Sequence, residues 1–308
     1  MKNKFYMVFA IIALVVSINA SSQTDDPNNN INGFNTTPIP TGGTGSVLGS
    51  FNAPIAGLSV GLEHDGSGNL LNTELNNDDM YIMDTAGNLV SGPTSVAANS
   101  LNALGITTNG TNIFITDTDS DDVDVYDLAA NYVSSFDVST ETTFPEGIAY
   151  SPIDNTLYVV NGSGGNIVMK YDMTGSLLNT FPINGSSQDG IALDYQRCVF
   201  WIYDSGTDTV RSYDSNFTEI ETFAGTAAAG FGNGEGLAVI GNSLFVMASG
   251  SNAVVEFDIS SATPAANAAT LCAPPGPPPV IPTLSNINLL VLALSLLFFG
   301  GLIVRRFS

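Results

Sequence analysis

Apolar and polar residues alternate along most of the chain in short runs rich in Val, Ile, Tyr, Phe and Thr, and clusters of Gly, Pro, Asn, Asp and Ser separate the runs. A period of two with β-branched and aromatic residues predicts strands, and the 3.6-residue period of an amphipathic helix is missing from this body. Between Gly147 and Phe181 the pattern gives an inner strand at Gly147-Ile148-Ala149-Tyr150. A second strand is expected from Thr156 to Val160, a third from Ile167 to Tyr171, and an outer fourth from Leu177 to Phe181. Turn chemistry stands between them in Ser151-Pro152-Ile153-Asp154-Asn155, Asn161-Gly162-Ser163-Gly164-Gly165 and Met173-Thr174-Gly175.

The four-strand unit recurs. Gly followed by Ile or Leu appears at Gly57-Leu58, Gly105-Ile106, Gly147-Ile148, Gly190-Ile191 and Gly236-Leu237. An apolar residue followed by Asp keeps time with it at Met83-Asp84, Tyr126-Asp127, Tyr171-Asp172, Tyr213-Asp214 and Phe257-Asp258. One four-stranded sheet cannot cover both of its faces, so units of about 40 to 45 residues stack radially, and the expected fold class is an all-β β-propeller of four-stranded blades. Five units are counted; six would require a degenerate blade. The last unit has no fourth strand after Phe257-Asp258. The segment Gly45-Ser46-Val47-Leu48-Gly49-Ser50-Phe51 matches Gly175-Ser176-Leu177-Leu178-Asn179-Thr180-Phe181 in type and order, so it is expected to close the ring as the outer strand of the last blade.

Two apolar runs break the β pattern. Lys2 and Lys4 precede a run from Phe5 to Val16, and Ser17-Ile18-Asn19-Ala20 offers a small residue at a cut, which reads as a signal peptide over 1–20. The other run, 287–304, holds 18 residues without a charge. At about 1.5 Å per residue it crosses a hydrocarbon core of about 30 Å, and Arg305-Arg306 behind it places the body on the non-cytoplasmic side. The expected organisation is a signal peptide over 1–20, a polar linker over 21–44, the propeller over 45–260, an Ala/Pro-rich linker over 261–280, and a C-terminal segment over 281–308.

That segment, Ile281-Pro282-Thr283-Leu284-Ser285 followed by the apolar run and the Arg pair, resembles the IPTL-type C-terminal sorting signals of Gram-negative bacteria, relatives of the PEP-type signals. The resemblance implies export, a membrane-anchored precursor in the inner membrane, recognition by an exosortase-like sorting protease, and a final place at the cell surface or in the extracellular matrix. A plain single-pass anchor is the alternative. The stretch Phe200-Trp201-Ile202-Tyr203-Asp204-Ser205-Gly206, with its strand ending at Tyr213-Asp214, resembles NHL-type, TolB-like and related six-bladed propellers. That likeness implies a scaffold shared by binding modules, lactonases, lyases and phytases, and no particular reaction.

Charge narrows the partners. All 29 Asp and Glu lie between Asp25 and Asp258, against Lys170, Arg197 and Arg211 alone, which leaves the exported body at −26. Nucleic acid is excluded as a partner because no basic footprint exists to neutralise phosphates. Cations, cationic surfaces and an extracellular glycan or protein ligand remain. The two cysteines, Cys198 and Cys272, are too few for a disulfide framework; Cys198 sits in an apolar strand pattern and reads as a buried thiol, although export would permit one bond between them.

The candidate chemistry is acidic. Glu146, Asp189 and Glu235 each precede the Gly-Ile or Gly-Leu of an inner strand, so the repeat symmetry directs all three toward the central channel. Like charges held close resist joint ionisation unless a cation intervenes. Ca2+, which takes six to eight oxygens at about 2.3 to 2.6 Å, is the expected ion, with solvated carboxylates as the alternative. Asp117 opens Asp117-Thr118-Asp119-Ser120-Asp121-Asp122, a spacing similar to the start of a calcium loop but without its Gly and distant Glu; Asp or Asn there also serves to hold the turn. His64 is the only histidine and is expected in a loop, no G-x-S-x-G is present, and zinc would lack its usual ligands. The expected function is an exported, surface-directed binding or adhesion module. A calcium-dependent lactonase or lyase using the channel carboxylates and a structural matrix component are the alternatives.

Overall fold

The structure, a computed structural model, describes residues 43–266 together with Ala268 and Cys272. The expected signal peptide, the Pro-rich part of the expected linker and the expected sorting segment with its apolar run at 287–304 lie outside the described residues. Twenty strands form five four-stranded antiparallel sheets, as the unit count predicts. The first blade is β2 (Ser59–His64), β3 (Leu70–Glu74), β4 (Asp79–Met83) and β5 (Leu89–Ser95). The second is β6 (Ala103–Thr108), β7 (Asn112–Asp117), β8 (Asp122–Asp127) and β9 (Tyr132–Asp137). The third is β10 (Pro145–Ser151), β11 (Thr156–Asn161), β12 (Ile167–Asp172) and β13 (Leu177–Pro182). The fourth is β14 (Gln188–Asp194), β15 (Val199–Asp204), β16 (Thr209–Tyr213) and β17 (Glu219–Ala224). The fifth joins β18 (Gly234–Ile240), β19 (Ser243–Ala248) and β20 (Ala253–Asp258) to β1 (Ser46–Asn52), which pairs with β20 from Ser46↔Asp258 to Asn52↔Ala253. Closure by the N-terminal strand therefore stands as the sequence predicts.

Neighbouring blades cover one another face to face, which is why second strands are buried on both sides and read as apolar runs: every residue of β15 is buried. Trp201, Leu237, Val246, Val255 and Phe257 share one inter-blade core. Outer strands β5, β9 and β13 face outward, and Val90, Tyr132, Val133 and Leu178 are exposed on them. The Asp of the second repeat marker holds the reversal into the outer strand of the first four blades. Asp84 accepts from the Ala86 and Asn88 amides, Asp127 from Ala129 and Asn131, Asp172 from Thr174 and Ser176, and Asp214 from Asn216 and Thr218. These are turn carboxylates, as expected from their position.

Two expectations change here. Cys198 is not a thiol: it is bonded to Cys272, with the two Cα atoms 5.4 Å apart. The chain after β20 folds back over the fourth and fifth blades, where Ala262, Ala265 and Cys272 are buried in the core around Trp201. The Thr263 amide donates to Glu221 at 2.9 Å and the Ala265 amide to the Arg197 carbonyl at 2.9 Å. The start of the expected linker is thus docked. Because the bond closes a loop spanning 74 positions, Cys272→Ser should cost about 2 to 4 kcal/mol, read as a lower melting temperature in oxidising buffer and as no further loss on adding reductant.

Candidate functional site

The first unit is phased differently from its sequence marker. Each inner strand carries a register shift at its start, and the residue aligned with Gly105, Gly147, Gly190 and Gly236 is Gly61, not Gly57. The reason is steric. A Cβ at Gly61 would lie 2.2 Å from the Leu104 carbonyl oxygen, and one at Gly105 would lie 2.2 Å from that of Glu146, so only glycine lets adjacent inner strands approach this closely. Gly57 instead precedes β2 with φ +156 and makes room for the Glu74 carboxyl. The five residues before the ring of glycines are therefore Val60, Leu104, Glu146, Asp189 and Glu235.

These five, with Gly61 and Gly105, enclose a void of about 10 Å³ at the channel mouth, the space of one water-sized sphere. One oxygen from each of Glu146, Asp189 and Glu235 lies within 4.8 Å of the others. The sequence-predicted triad is thus brought together by the bulges that open the inner strands. Glu146 and Asp189 are only 9% exposed, and Glu146 Oε2 has no hydrogen-bond partner. Asp189 accepts from the Ser205 amide at 3.2 Å, and Glu235 from the Ser249 hydroxyl at 2.8 Å. Burial and the neighbouring Asp189 and Glu235 hold the Glu146 carboxyl far above the ordinary carboxylate range. Burial also raises Asp189, and burial together with Asp189 pushes Glu235 up to about 7. Three acids compressed in this way ionise together only when positive charge enters among them.

Asp117 is not part of the triad. It ends β7 buried, with its oxygens taken by the Leu101 and Asp119 amides and the Ser120 hydroxyl. Asp204 does the same work in the fourth blade for the Ser186 and Ser187 amides, and Glu74, which sequence reasoning passed over, does it in the first for Leu58, Asn76 and Asn77. His64 is the last residue of β2, not a loop residue, and its Nε2 accepts from the Gly68 amide at 3.0 Å. Burial lowers its pKa, so the neutral imidazole that this hydrogen bond requires is favoured. The supports Ser205 and Ser249 carried no sequence signal beyond lying one residue past the second strands. A further cavity of about 440 Å³, which the sequence reading did not anticipate, is lined by residues from the opposite ends of the inner strands.

No protein-family model matches the chain, and no curated protein matches its sequence. Among solved structures, glutaminyl cyclase from Myxococcus xanthus is similar with a TM-score of 0.56 at 12% identity, covering 69% of this chain and 95% of that one. A nidogen/laminin complex is similar with a TM-score of 0.52 at 18% identity, over 67% and 78% of the two chains. These likenesses concern the fold: the chain is a β-propeller, and identities this low carry no reaction across.

Proposed function

We propose that this chain is an exported, surface-directed binding propeller whose channel mouth holds one Ca2+ between Glu146, Asp189 and Glu235. The observation that carries the cation is the convergence of three carboxylates within 4.8 Å around the unpartnered Glu146 Oε2. Oxygens that share a calcium at about 2.3 to 2.6 Å lie no more than about 5 Å apart, so the spacing fits one ion. One oxygen from each of three carboxylates fills at most half of its six to eight positions, and the rest are open to water and to oxygens of a glycan or protein ligand entering the mouth. Export and membrane anchoring rest on the signal peptide and on Ile281-Pro282-Thr283-Leu284-Ser285 with Arg305 and Arg306, read by an exosortase-like protease.

Calorimetric titration of the purified protein with calcium in about 0.15 M salt tests the site, because that background screens the diffuse attraction of an acidic body. One ion per chain is expected, and Glu146→Gln with Glu235→Gln should weaken it at least a hundredfold while leaving the circular dichroism unchanged. Calcium heats that are the same in parent and double variant would leave the triad as ordinary carboxylates.

A further inference from the structure

The cavity of about 440 Å³ at the far end of the channel belongs to none of the chemistry above. It is lined by Glu63 and His64 at the end of β2, Thr107 on β6, Tyr150 on β10, Leu193 and Tyr195 at the end of β14, and Val239 and Ile240 on β18. Its volume falls in the range of small-molecule sites, which combine apolar walls with a few placed polar groups. Repeat register makes Glu63 the odd residue. It stands two positions after the repeat glycine, where the third, fourth and fifth blades carry Ala149, Ala192 and Ala238. Those three alanines are buried in the inter-blade cores, whereas Glu63 brings a carboxyl to the wall of the cavity.

That carboxyl is fixed and uncompensated. Glu63 Oε1 accepts from the His64 amide at 2.7 Å, and Oε2 accepts from the Thr107 hydroxyl at 3.0 Å, which itself accepts from the Tyr150 amide at 3.2 Å. Each oxygen keeps a second lone pair for a ligand. The other charged and titratable groups around the cavity are already matched or neutral. Asp194 is paired with Arg197 at 2.9 Å, Asp154 beside the tyrosines is paired with Lys170, and burial lowers the His64 pKa from its ordinary value. Among the described residues, no basic side chain pairs with Glu63, and β6 and β18 bring no ionisable group to the cavity. Tyr150 and Tyr195 supply aromatic walls, Tyr195 at 39% exposure.

We propose that this cavity binds a small organic cation, with Glu63 as its counter-ion and Tyr150 and Tyr195 as the aromatic surfaces against which the cationic group packs. A carboxylate and tyrosine rings are the two chemistries that favour an alkylammonium over a neutral molecule of the same shape. The body at −26 concentrates cations at the mouth, and the pocket selects among them. Burial pushes Glu63 up to about 7, so the counter-ion is present above neutrality and withdrawn below it.

Choline is the probe, because its charge does not change with pH, and its neutral isostere 3,3-dimethylbutan-1-ol is the control. In the purified full chain at about 0.15 M salt, choline should bind at least tenfold more tightly than the isostere. Its affinity should rise about tenfold between about pH 5.5 and about pH 8, as a carboxyl titrating near 7 becomes ionised. Glu63→Gln should remove both the preference and the pH dependence, and Tyr195→Ala, at an exposed position, should weaken choline severalfold without unfolding the ring. Calcium binding at the opposite mouth should survive Glu63→Gln, and choline binding should survive the Glu146→Gln, Glu235→Gln pair, so failure of one site is separable from failure of the other. No binding of choline, equal binding of choline and the isostere, or an unchanged Glu63→Gln response overturns the proposal.

Discussion

Deleting residues 45–51 should abolish the cooperative unfolding transition of the ring or lower its midpoint by about 15 to 30 °C, whereas deleting residues 21–41 should leave the midpoint within a few degrees. The size follows from what β1 covers. Val47 packs into the core with Val255 and Phe257, and Phe51 packs against Ala53, Met247 and Phe245, its ring 6.4 Å from that of Phe245. Both side chains are partly buried, so each is worth up to about 1.5 to 3 kcal/mol, and the backbone ladder to β20 adds a comparable amount, for a total of up to about 8 kcal/mol. That is much of the 5 to 15 kcal/mol by which domains are usually stable. The loss is aggravated by the edge left behind: Ala253-Val254-Val255-Glu256-Phe257 would present open amides and carbonyls on an apolar strand, so the truncated protein should also self-associate in light scattering. Equal melting of the two truncations would mean that the ring holds without its N-terminal strand.

The strands were legible because the blades obey local rules. In the third unit the expected boundaries fall within two residues of β10 to β13, since each run is bounded by Gly, Pro or Asn turns and its two-residue period is undisturbed. The first unit was harder to place. Gly57-Leu58 imitates the repeat marker, but the position is fixed by close approach between inner strands, a three-dimensional condition that no single unit displays. This four-residue error in phase hid Glu63, which stands out only when aligned with Ala149, Ala192 and Ala238. The triad escaped the error because its three members lie in the third, fourth and fifth units, where the markers are true. Asp117 shows the opposite limit: alternating carboxylates look like a calcium loop in sequence, yet backbone amides and a serine already occupy their leading oxygens. The disulfide stands in the sequence only as a permitted alternative to a buried thiol for a related reason, because Cys272 meets Cys198 only after the chain folds back across two blades.

The triad also fixes how stability should depend on pH. Without divalent cations, the protein should be most stable between about pH 4.5 and 5 and lose stability continuously up to about pH 8. Glu235 is held at about 7 against an ordinary value of 4.5, and Glu146 and Asp189 are raised as well. Where the folded state keeps a proton that the unfolded chain gives up, stability is whole below the unfolded pKa and is lost as pH rises through the folded one. For Glu235 alone this amounts to on the order of 3 kcal/mol, and its two neighbours and Glu63 add in the same direction. The acid limb has the reverse cause. Asp84, Asp127, Asp172 and Asp258 are held below 3.8 by turn amides and hydroxyl or amide side chains, so their stabilisation is present above that value and fades as pH falls beneath it. Calcium should offset part of the alkaline limb, because an ion among the three oxygens favours the ionised forms that burial opposes. Its stabilisation, read as a rise in melting temperature, should therefore be near zero at about pH 5 and largest near pH 8, where it reaches about 2.7 kcal/mol at a hundredfold excess over the dissociation constant. Glu146→Gln with Glu235→Gln should shrink the alkaline limb to the share left by Glu63 and remove the calcium response, although it changes only two of 29 acids. A calcium-free stability that climbs from pH 5 to 8, or a double variant with the parent's profile, would show that the three carboxylates do not share one buried site.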